Sequence, residues 1–402
     1  MSERWYQKYV QLAFHIDKAL RTFTDNPFVD AYYGPVEWKA AAENEALAPE
    51  LVRAAMELAD EIPLQGFEAT HAAYLAKQVR AIETLARRLT GETFSLEDEV
   101  QRCFDITPAW VPETYFEEAH RILDEALPGN GSIFERQQAR RKRYELPYEK
   151  AHLLPELLRR TMDEVRLRAS LFVELPGQET MDIHIVKDKH YEGACWYQGQ
   201  YRSRIDINTD LPTHLYSLPD LAAHEGYPGH HTEAILKEQH LYHDLGYIDQ
   251  AIVLLMSPHC LVSEGIATLA QHMIFAPGEV DAWLAEHVYA EAGIEPDGVD
   301  SAQLLRANEL LEGVWGNAAF LLRQGMPDAE VMRYMQKYML ISDEEAPKCL
   351  EFLKVPFQET YVFTYFYGKQ LMEPWVQGPD RLQVFRRFLM GEITPTNLLR
   401  QG

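Results

Sequence analysis

The sequence predicts a mainly α-helical protein with one small antiparallel β-sheet of two or three strands. Apolar residues recur at helical spacing along most of the 402-residue chain, and prolines such as Pro155 mark first helical turns. Only residues 181–210 differ. Glycines punctuate short runs there, and Ile205 and Ile207 alternate with polar neighbours at a period of two, which predicts a strand.

Composition restricts the classes of partner. The chain has 38 Lys and Arg against 62 Asp and Glu, a net charge of -24, which disfavours binding to nucleic acid and to anionic membranes. It contains no run of about 18 uncharged apolar residues, as a transmembrane helix requires. The first twenty residues are charged throughout and lack signal-peptide features, so we expect a cytoplasmic protein.

The cysteines do not predict a disulfide framework or a thiolate metal site. They are far apart and form no CxxC pair. The chemistry of this chain is therefore sought among its histidines and carboxylates.

The segment HEGYPGHH, residues 224–231, begins like the zinc-protease motif HExxH but has Pro228 where the second histidine should stand. In the standard motif, two histidines one helical turn apart bind zinc and the adjacent glutamate is the general base. A helix predicted from Ser217 would carry His224 and Glu225 in that arrangement. A metal site therefore requires an altered spacing.

The Pro-Gly pair offers a way to alter it. Pro228 lacks the N–H that would bond the carbonyl of His224, and Gly229 gives the backbone freedom to bulge. On a regular helix His230 would lie about 9 Å along the axis and about 120° around it from His224, whereas His231 would share its face about 10.5 Å away. We favour His230 as the second ligand because it needs the smaller correction. His231 would then either lie behind the ligands and support them or donate to a developing oxyanion.

A third ligand is required, because catalytic zinc sites keep three protein ligands and one open position. Glu264 lies within the otherwise apolar segment LVSEGIATLAQHMIF, where a carboxylate needs a partner or a cation. One alternative is that Glu264 pairs with an arginine or with a helix end. The other is that His259 or His272 is the ligand.

HEGYPGHH followed by SEGIATLAQ resembles the bacterial family known as domain of unknown function 885, placed among the zincin-like metallopeptidases. Its members carry HExxPGHH and a later EGWA-type motif, in which Ile266 replaces the usual Trp here. The resemblance runs from about residue 150 to the C terminus, and implies a gluzincin-like helical fold with a glutamate as third ligand. We accordingly divide the chain into an N-terminal helical scaffold region (1–150) and a zincin-like catalytic region (151–402), with one compact unit as the alternative.

Other residues are candidates for substrate binding and catalysis. Zincins bind extended peptides along a sheet edge, and the strand SRIDINTD is the candidate edge, with Arg202, Arg204 and Asn208 available to a substrate carboxylate or backbone. Salt bridges within the protein are the alternative for the arginines. Tyr361, Tyr365 and Tyr367 on a C-terminal helix are candidates to stabilise an oxyanion, although aromatic residues at helical spacing usually belong to a core.

Together these residues predict a zinc-dependent hydrolase. Zn²⁺ held by His224, His230 and Glu264 would activate water, with Glu225 as general base, to hydrolyse a peptide or a small amide. One alternative is a zinc hydrolase of a non-peptide amide or ester. The other is a catalytically silent, metal-stabilised scaffold, against which the presence of Glu225 argues.

Overall fold

The computed structural model describes residues 2–24, 27–44, 50–189, 193–210 and 212–399. In these ranges the prediction of a mainly helical chain is confirmed. None of the helices described is long and apolar enough to cross a membrane.

Within the described ranges, eight α-helices lie in the N-terminal half of the chain and thirteen in the C-terminal half. The first eight are α1 (Ser2–Leu20), α2 (Val36–Asn44), α3 (Leu51–Glu61), α4 (Ala69–Leu89), α5 (Leu96–Phe104), α6 (Glu113–Ala126), α7 (Ile133–Tyr144) and α8 (Leu154–Ala169). The others are α9 (Leu218–Glu225), α10 (His230–Lys237), α11 (Pro258–Ile274), α12 (Glu279–Leu284), α13 (Ala290–Ala292), α14 (Ser301–Leu311), α15 (Gly313–Arg323), α16 (Asp328–Met339), α17 (Glu345–Lys354), α18 (Gln358–Tyr361), α19 (Phe363–Met372), α20 (Arg381–Met390) and α21 (Pro395–Leu398).

Five strands form two small sheets in the described part of the chain. They are β1 (Val29–Tyr32), β2 (Thr180–Val186), β3 (Gly193–Gly199), β4 (Arg202–Asn208) and β5 (Ile252–Leu254). β1 and β5 pair antiparallel. The other sheet has the order β2-β4-β3, in which β4 is parallel to β2 and antiparallel to β3.

The strand predicted at SRIDINTD is confirmed as β4, and its Ile205 and Ile207 are buried. Its prediction as the edge strand is wrong, because β4 is hydrogen-bonded on both sides. β2 and β3 are the two edge strands of this sheet instead. Which strand becomes the edge depends on pairing with distant segments, and the period-two pattern carries no information on it.

Helix α11 lies between the two largest apolar cores and holds Glu264 there. Leu261 packs in a core formed with α1, α4 and α15, whereas Val262 and Ile266 pack in a second core with α8, α9 and α20. The helix begins at Pro258, where the missing N–H costs nothing, and the Ser257 hydroxyl accepts from the Cys260 amide at 3.3 Å. Its position is thus fixed from both sides. The first core also joins residues from both sides of residue 150.

Helices α11 and α19 cross at two glycines. A Cβ added to Gly265 would lie 2.6 Å from the carbonyl oxygen of Gly368, and one added to Gly368 would lie 2.6 Å from that of Leu261. Only glycines permit this approach. The close crossing brings the segment with Tyr361 and Tyr365 against the face of α11 that carries Glu264.

Candidate metal centre

The HEGYPGHH segment forms two helices separated by a break. Helix α9 ends at Glu225 and α10 begins at His230, with Pro228 and Gly229 in the connection. The sequence predicted one bulged helix; the chain instead stops and restarts. The Gly229 amide bonds the Ala223 carbonyl at 2.9 Å, and a Cβ on Gly229 would lie 1.9 Å from the His224 carbonyl oxygen, so only glycine fits.

This break brings His224 and His230 together with Glu264. One ligand atom from each of the three lies within 4.8 Å of the others. The Nε2 atom of His224 is 3.5 Å from Glu264 Oε2, and that of His230 is 3.8 Å from the same oxygen. The three residues that the sequence predicts as ligands therefore lie close enough to bind one ion.

The Glu264 carboxylate fits a metal-binding role. It is 6% exposed, and its Oε1 accepts a hydrogen bond from the Tyr361 hydroxyl at 2.9 Å. Its Oε2 is buried without a hydrogen-bond partner. Within the described residues its ion partners are the two histidines rather than an arginine. Two imidazole nitrogens and a carboxylate oxygen are a donor set that Zn²⁺ prefers.

The electrostatics of the cluster also favour a cation. Burial alone would lower the pKa of His224, but the Glu264 and Glu225 carboxylates more than offset burial and raise this pKa to about 9. Burial opposes ionisation of Glu264, and the two histidines nonetheless hold its pKa below the ordinary value. Positive charge at this point is thus strongly stabilised.

Glu225 and Asp30 are two further carboxylates beside the cluster. The Glu225 side chain lies against the edge strand β3, where a Cβ on Gly193 would be 3.5 Å from Glu225 Cγ. Asp30 is in β1, and burial together with nearby Glu264 and Glu225 raises its pKa to about 7. Sequence reasoning missed Asp30, because the short pattern FVDAYYG lies in a region interpreted as helical scaffold.

A cavity of about 1030 Å³ opens onto the cluster. Its wall includes the candidate ligands, Glu225, Tyr361 and Tyr365, and five consecutive residues of the edge strand β3, Gly193 to Tyr197. Burial and neighbouring Glu264 raise the pKa of Tyr365 well above its usual range, so the hydroxyl keeps its proton at neutral pH. The arrangement can therefore hold a cation, a general base and a hydrogen-bond donor around one space.

The structure does not bring His231 to the cluster. Its ring is fully buried, with Nδ1 2.7 Å from the Ser203 hydroxyl and Nε2 3.1 Å from Glu179 Oε2. Neither His231 nor these two partners is among the described residues that line the cavity. The expected role of His231 at an oxyanion is thus replaced by a structural one, since both ring nitrogens already have partners.

Glu179, which sequence reasoning missed, is the centre of that second network. Its carboxylate also accepts from Tyr227 at 2.7 Å and pairs with Arg166 at 2.6 Å. Burial would raise the pKa of Glu179, but the hydrogen bonds from His231, Tyr227 and Arg166 lower it to about 2. No local feature of the sequence distinguishes this glutamate from the other acids.

Several other predicted residues lie outside the cavity wall described. Arg204 pairs with Asp206 at 2.9 Å, and Asn208 donates to the Lys189 carbonyl at 3.0 Å. Arg202 lies exposed in the central strand, away from that wall. The Tyr367 hydroxyl accepts from the Ala109 amide at 2.7 Å instead of reaching the cavity.

His259 and His272, the alternative ligands from the sequence, lie outside the three-residue cluster. His259 lines the cavity beside Lys237, and burial and that ammonium lower its pKa to about 3. His272 pairs with Glu309 at 2.8 Å. Neither belongs to the three-residue cluster.

A second group of possible ligands, His71, Asp249 and Glu392, is already internally bonded. The His71 ring lies 2.9 Å from both the Tyr6 hydroxyl and Glu392, and Gln250 donates to both carboxylates. We interpret it as a buried network that ties α4 to the C-terminal segment.

No protein-family model and no curated protein matches the chain. Among solved structures, it is similar to a "putative lipoprotein" from Colwellia psychrerythraea, with a TM-score of 0.54 and 16% identity over 95% of this chain and 67% of that one. It is also similar to a "putative lipoprotein of unknown function" from Shewanella oneidensis, with a TM-score of 0.50 and 12% identity over 91% and 76% of the two chains. Metallocarboxypeptidase 1 of Trypanosoma cruzi matches with a TM-score of 0.37 and 14% identity over 99% and 94%. At these identities the two lipoproteins share the fold alone.

Proposed function

We propose that this protein is a zinc-dependent hydrolase that cleaves peptide bonds. His224, His230 and Glu264 would hold the ion, and Glu225 would act as general base. The observation that carries the proposal is the buried Glu264 Oε2, which has no hydrogen-bond partner and lies 3.5 and 3.8 Å from two imidazole nitrogens at the wall of a large cavity. A buried carboxylate oxygen without a donor is costly unless a cation binds there.

The residues around the cluster would divide the chemistry between them. Zinc, when bound, polarises a carbonyl and makes water more acidic. Glu225 would accept a proton from the attacking water as the new C–O bond forms, and deliver it to the amine nitrogen as the C–N bond breaks. Tyr365, which keeps its proton and lines the cavity, would donate a hydrogen bond to the developing oxyanion.

The edge strand favours a peptide over a non-peptide amide or ester. β3 is hydrogen-bonded to β4 on one side, and its residues Gly193 to Tyr197 line the same cavity as Glu225. An extended peptide can add to such an edge through main-chain hydrogen bonds. The edge thus takes over the role that sequence analysis gave to the neighbouring strand.

The size of the cavity argues against a silent metal-stabilised scaffold. Structural zinc sites have all four positions closed by protein ligands, whereas three candidate ligands here border a space of about 1030 Å³. An open position is what a catalytic site needs.

Digestion of a peptide library by the zinc-loaded protein tests this function. We expect cleavage by the wild type, and a loss of about 10²–10⁴-fold in Glu225→Gln with zinc content unchanged, because the amide is not basic. Glu286→Gln, at a side chain that is 77% exposed, is the control and should keep full activity. Cleavage only of small amides or esters would support the alternative substrates, and unchanged turnover in Glu225→Gln would contradict the role of Glu225.

A further inference from the structure

A chain of hydrogen bonds leads from His230 to a buried ion pair. The Nδ1 atom of His230 is 3.1 Å from the Ser263 hydroxyl, which donates to Glu233 Oε2 at 2.5 Å. The other oxygen of Glu233 accepts from the Lys237 ammonium at 2.6 Å. Glu233 is 3% exposed and Lys237 5%, so the pair is shielded from solvent.

The direction of each bond in this chain follows from the charges. Burial alone would raise the pKa of Glu233, but the Lys237 ammonium and the hydrogen bonds from Lys237 and Ser263 more than offset burial, so this pKa lies below its ordinary value. An ionised carboxylate can only accept, and a hydroxyl has a single proton. The proton of Ser263 therefore goes to Glu233, and its oxygen is left to accept from His230.

The consequence is a defined tautomer of His230. If the serine oxygen accepts at Nδ1, this nitrogen carries the proton, and in the neutral ring Nε2 is then bare. The bare Nε2 is the atom that lies 3.8 Å from Glu264 Oε2. The ion pair is thus connected to the metal-facing side of the ring through one hydroxyl.

We propose that Ser263 and the Glu233–Lys237 ion pair are positioning residues that hold His230 in its Nδ1–H tautomer, with the Nε2 lone pair available to the metal. The importance of this tautomer for zinc rests on the proposed function, but the tautomer itself does not. Partners on the outer nitrogen of a metal-ligating histidine commonly fix its ring orientation and strengthen metal binding.

The neighbouring residue, His231, provides a comparison with His230 within the same protein. Its Nδ1 also bonds a serine, Ser203, but its Nε2 is occupied by Glu179 at 3.1 Å. A serine hydroxyl on Nδ1 therefore leaves the ring able to bind a metal only where Nε2 has no hydrogen-bond partner in the protein, as in His230. Ser203→Ala is accordingly a matched control for Ser263→Ala.

The tautomer can be measured in the metal-free protein. Nitrogen-15 NMR of labelled histidines at about pH 8, above the ordinary histidine pKa, distinguishes the two ring nitrogens. We expect His230 to carry its proton on Nδ1 in the wild type and to shift toward the Nε2–H form in Ser263→Ala. A wild-type ring protonated on Nε2, or no change in the variant, would overturn the proposal.

Zinc titration against a competing chelator tests the effect on metal binding. We expect Ser263→Ala to weaken affinity by about 10–100-fold, Ser263→Thr to restore it because the hydroxyl is kept, and Ser203→Ala to leave it unchanged. Glu233→Gln should weaken it as well, since the amide can donate to Ser263 and reverse the bond to His230. Circular dichroism confirms that each variant is folded.

The two possible failures are distinguishable. Wild-type affinity in folded Ser263→Ala, or an equal loss in Ser203→Ala, would overturn the positioning role while the metal site stands. A wild type that takes up no zinc would refute the proposed function, and the NMR measurement would still decide the tautomer.

Discussion

Replacing His231 with alanine is expected to destabilise the fold while leaving the candidate metal centre intact. The substitution removes one of three side chains that bond the buried Glu179 carboxylate and leaves Ser203 without its partner. A buried hydrogen bond to a charged group contributes about 1.5–3 kcal/mol. Arg166 and Tyr227 still bond Glu179, but the Ser203 hydroxyl also loses its partner, so we expect about 3 kcal/mol of lost unfolding free energy.

Urea unfolding followed by far-ultraviolet circular dichroism measures this loss, and mass spectrometry measures zinc in the folded fraction. His240→Ala is the control, since that side chain is 42% exposed, and it should change stability by less than about 0.5 kcal/mol. A His231→Ala protein as stable as the wild type would refute the account of the Glu179 network. A folded protein that lacks zinc would show that His231 contributes to the metal centre after all.

Three further perturbations test other contacts. Gly229→Ala should lower the free energy of unfolding by more than about 3 kcal/mol in chemical denaturation, because its Cβ would lie 1.9 Å from a carbonyl oxygen of α9. The control Gly177→Ala, which has open space at the Cβ position, should be tolerated. Equal stability of the two variants would contradict the tight break. Tyr361→Phe should weaken zinc affinity by about tenfold in a chelator competition, because Glu264 loses a donor, and unchanged affinity would count against that contact. The pKa of Glu179 is lowered from 4.5 to about 2, so the ionised carboxylate should contribute about 3 kcal/mol to the free energy of unfolding above pH 4.5. This contribution should disappear as the pH falls from 4.5 through about 2, and the acid unfolding curves of the wild type and Glu179→Gln should converge over this range. A difference in stability that stays constant with pH would refute this prediction.

The parts of the site that depend on local pattern could be predicted from the sequence. HEGYPGHH places His224 and Glu225 on successive positions of one helix, and the apolar run around Glu264 predicts a buried carboxylate. Pro228 and Gly229 indicated that the helix could not continue unchanged. These inferences need only the geometry of short segments, and the structure brings their residues together.

The parts that depend on distant segments could not be predicted. β1 pairs with β5 more than 200 residues later, so nothing local indicated that Asp30 would lie beside the cluster. The partners of His231 are 28 and 52 residues away in sequence, which is why its structural role was missed. The order β2-β4-β3 likewise follows from packing, and it puts SRIDINTD at the centre of the sheet with β2 and β3 at its edges.

The zinc stoichiometry of protein purified without chelator tests the central claim most directly. Mass spectrometry of the metal content, followed by titration of the metal-free protein with Zn²⁺, measures whether His224, His230 and Glu264 form a site. The account predicts about one zinc per chain, and loss of most of it in His230→Ala. Protein without a transition metal that takes up none on titration would contradict the account.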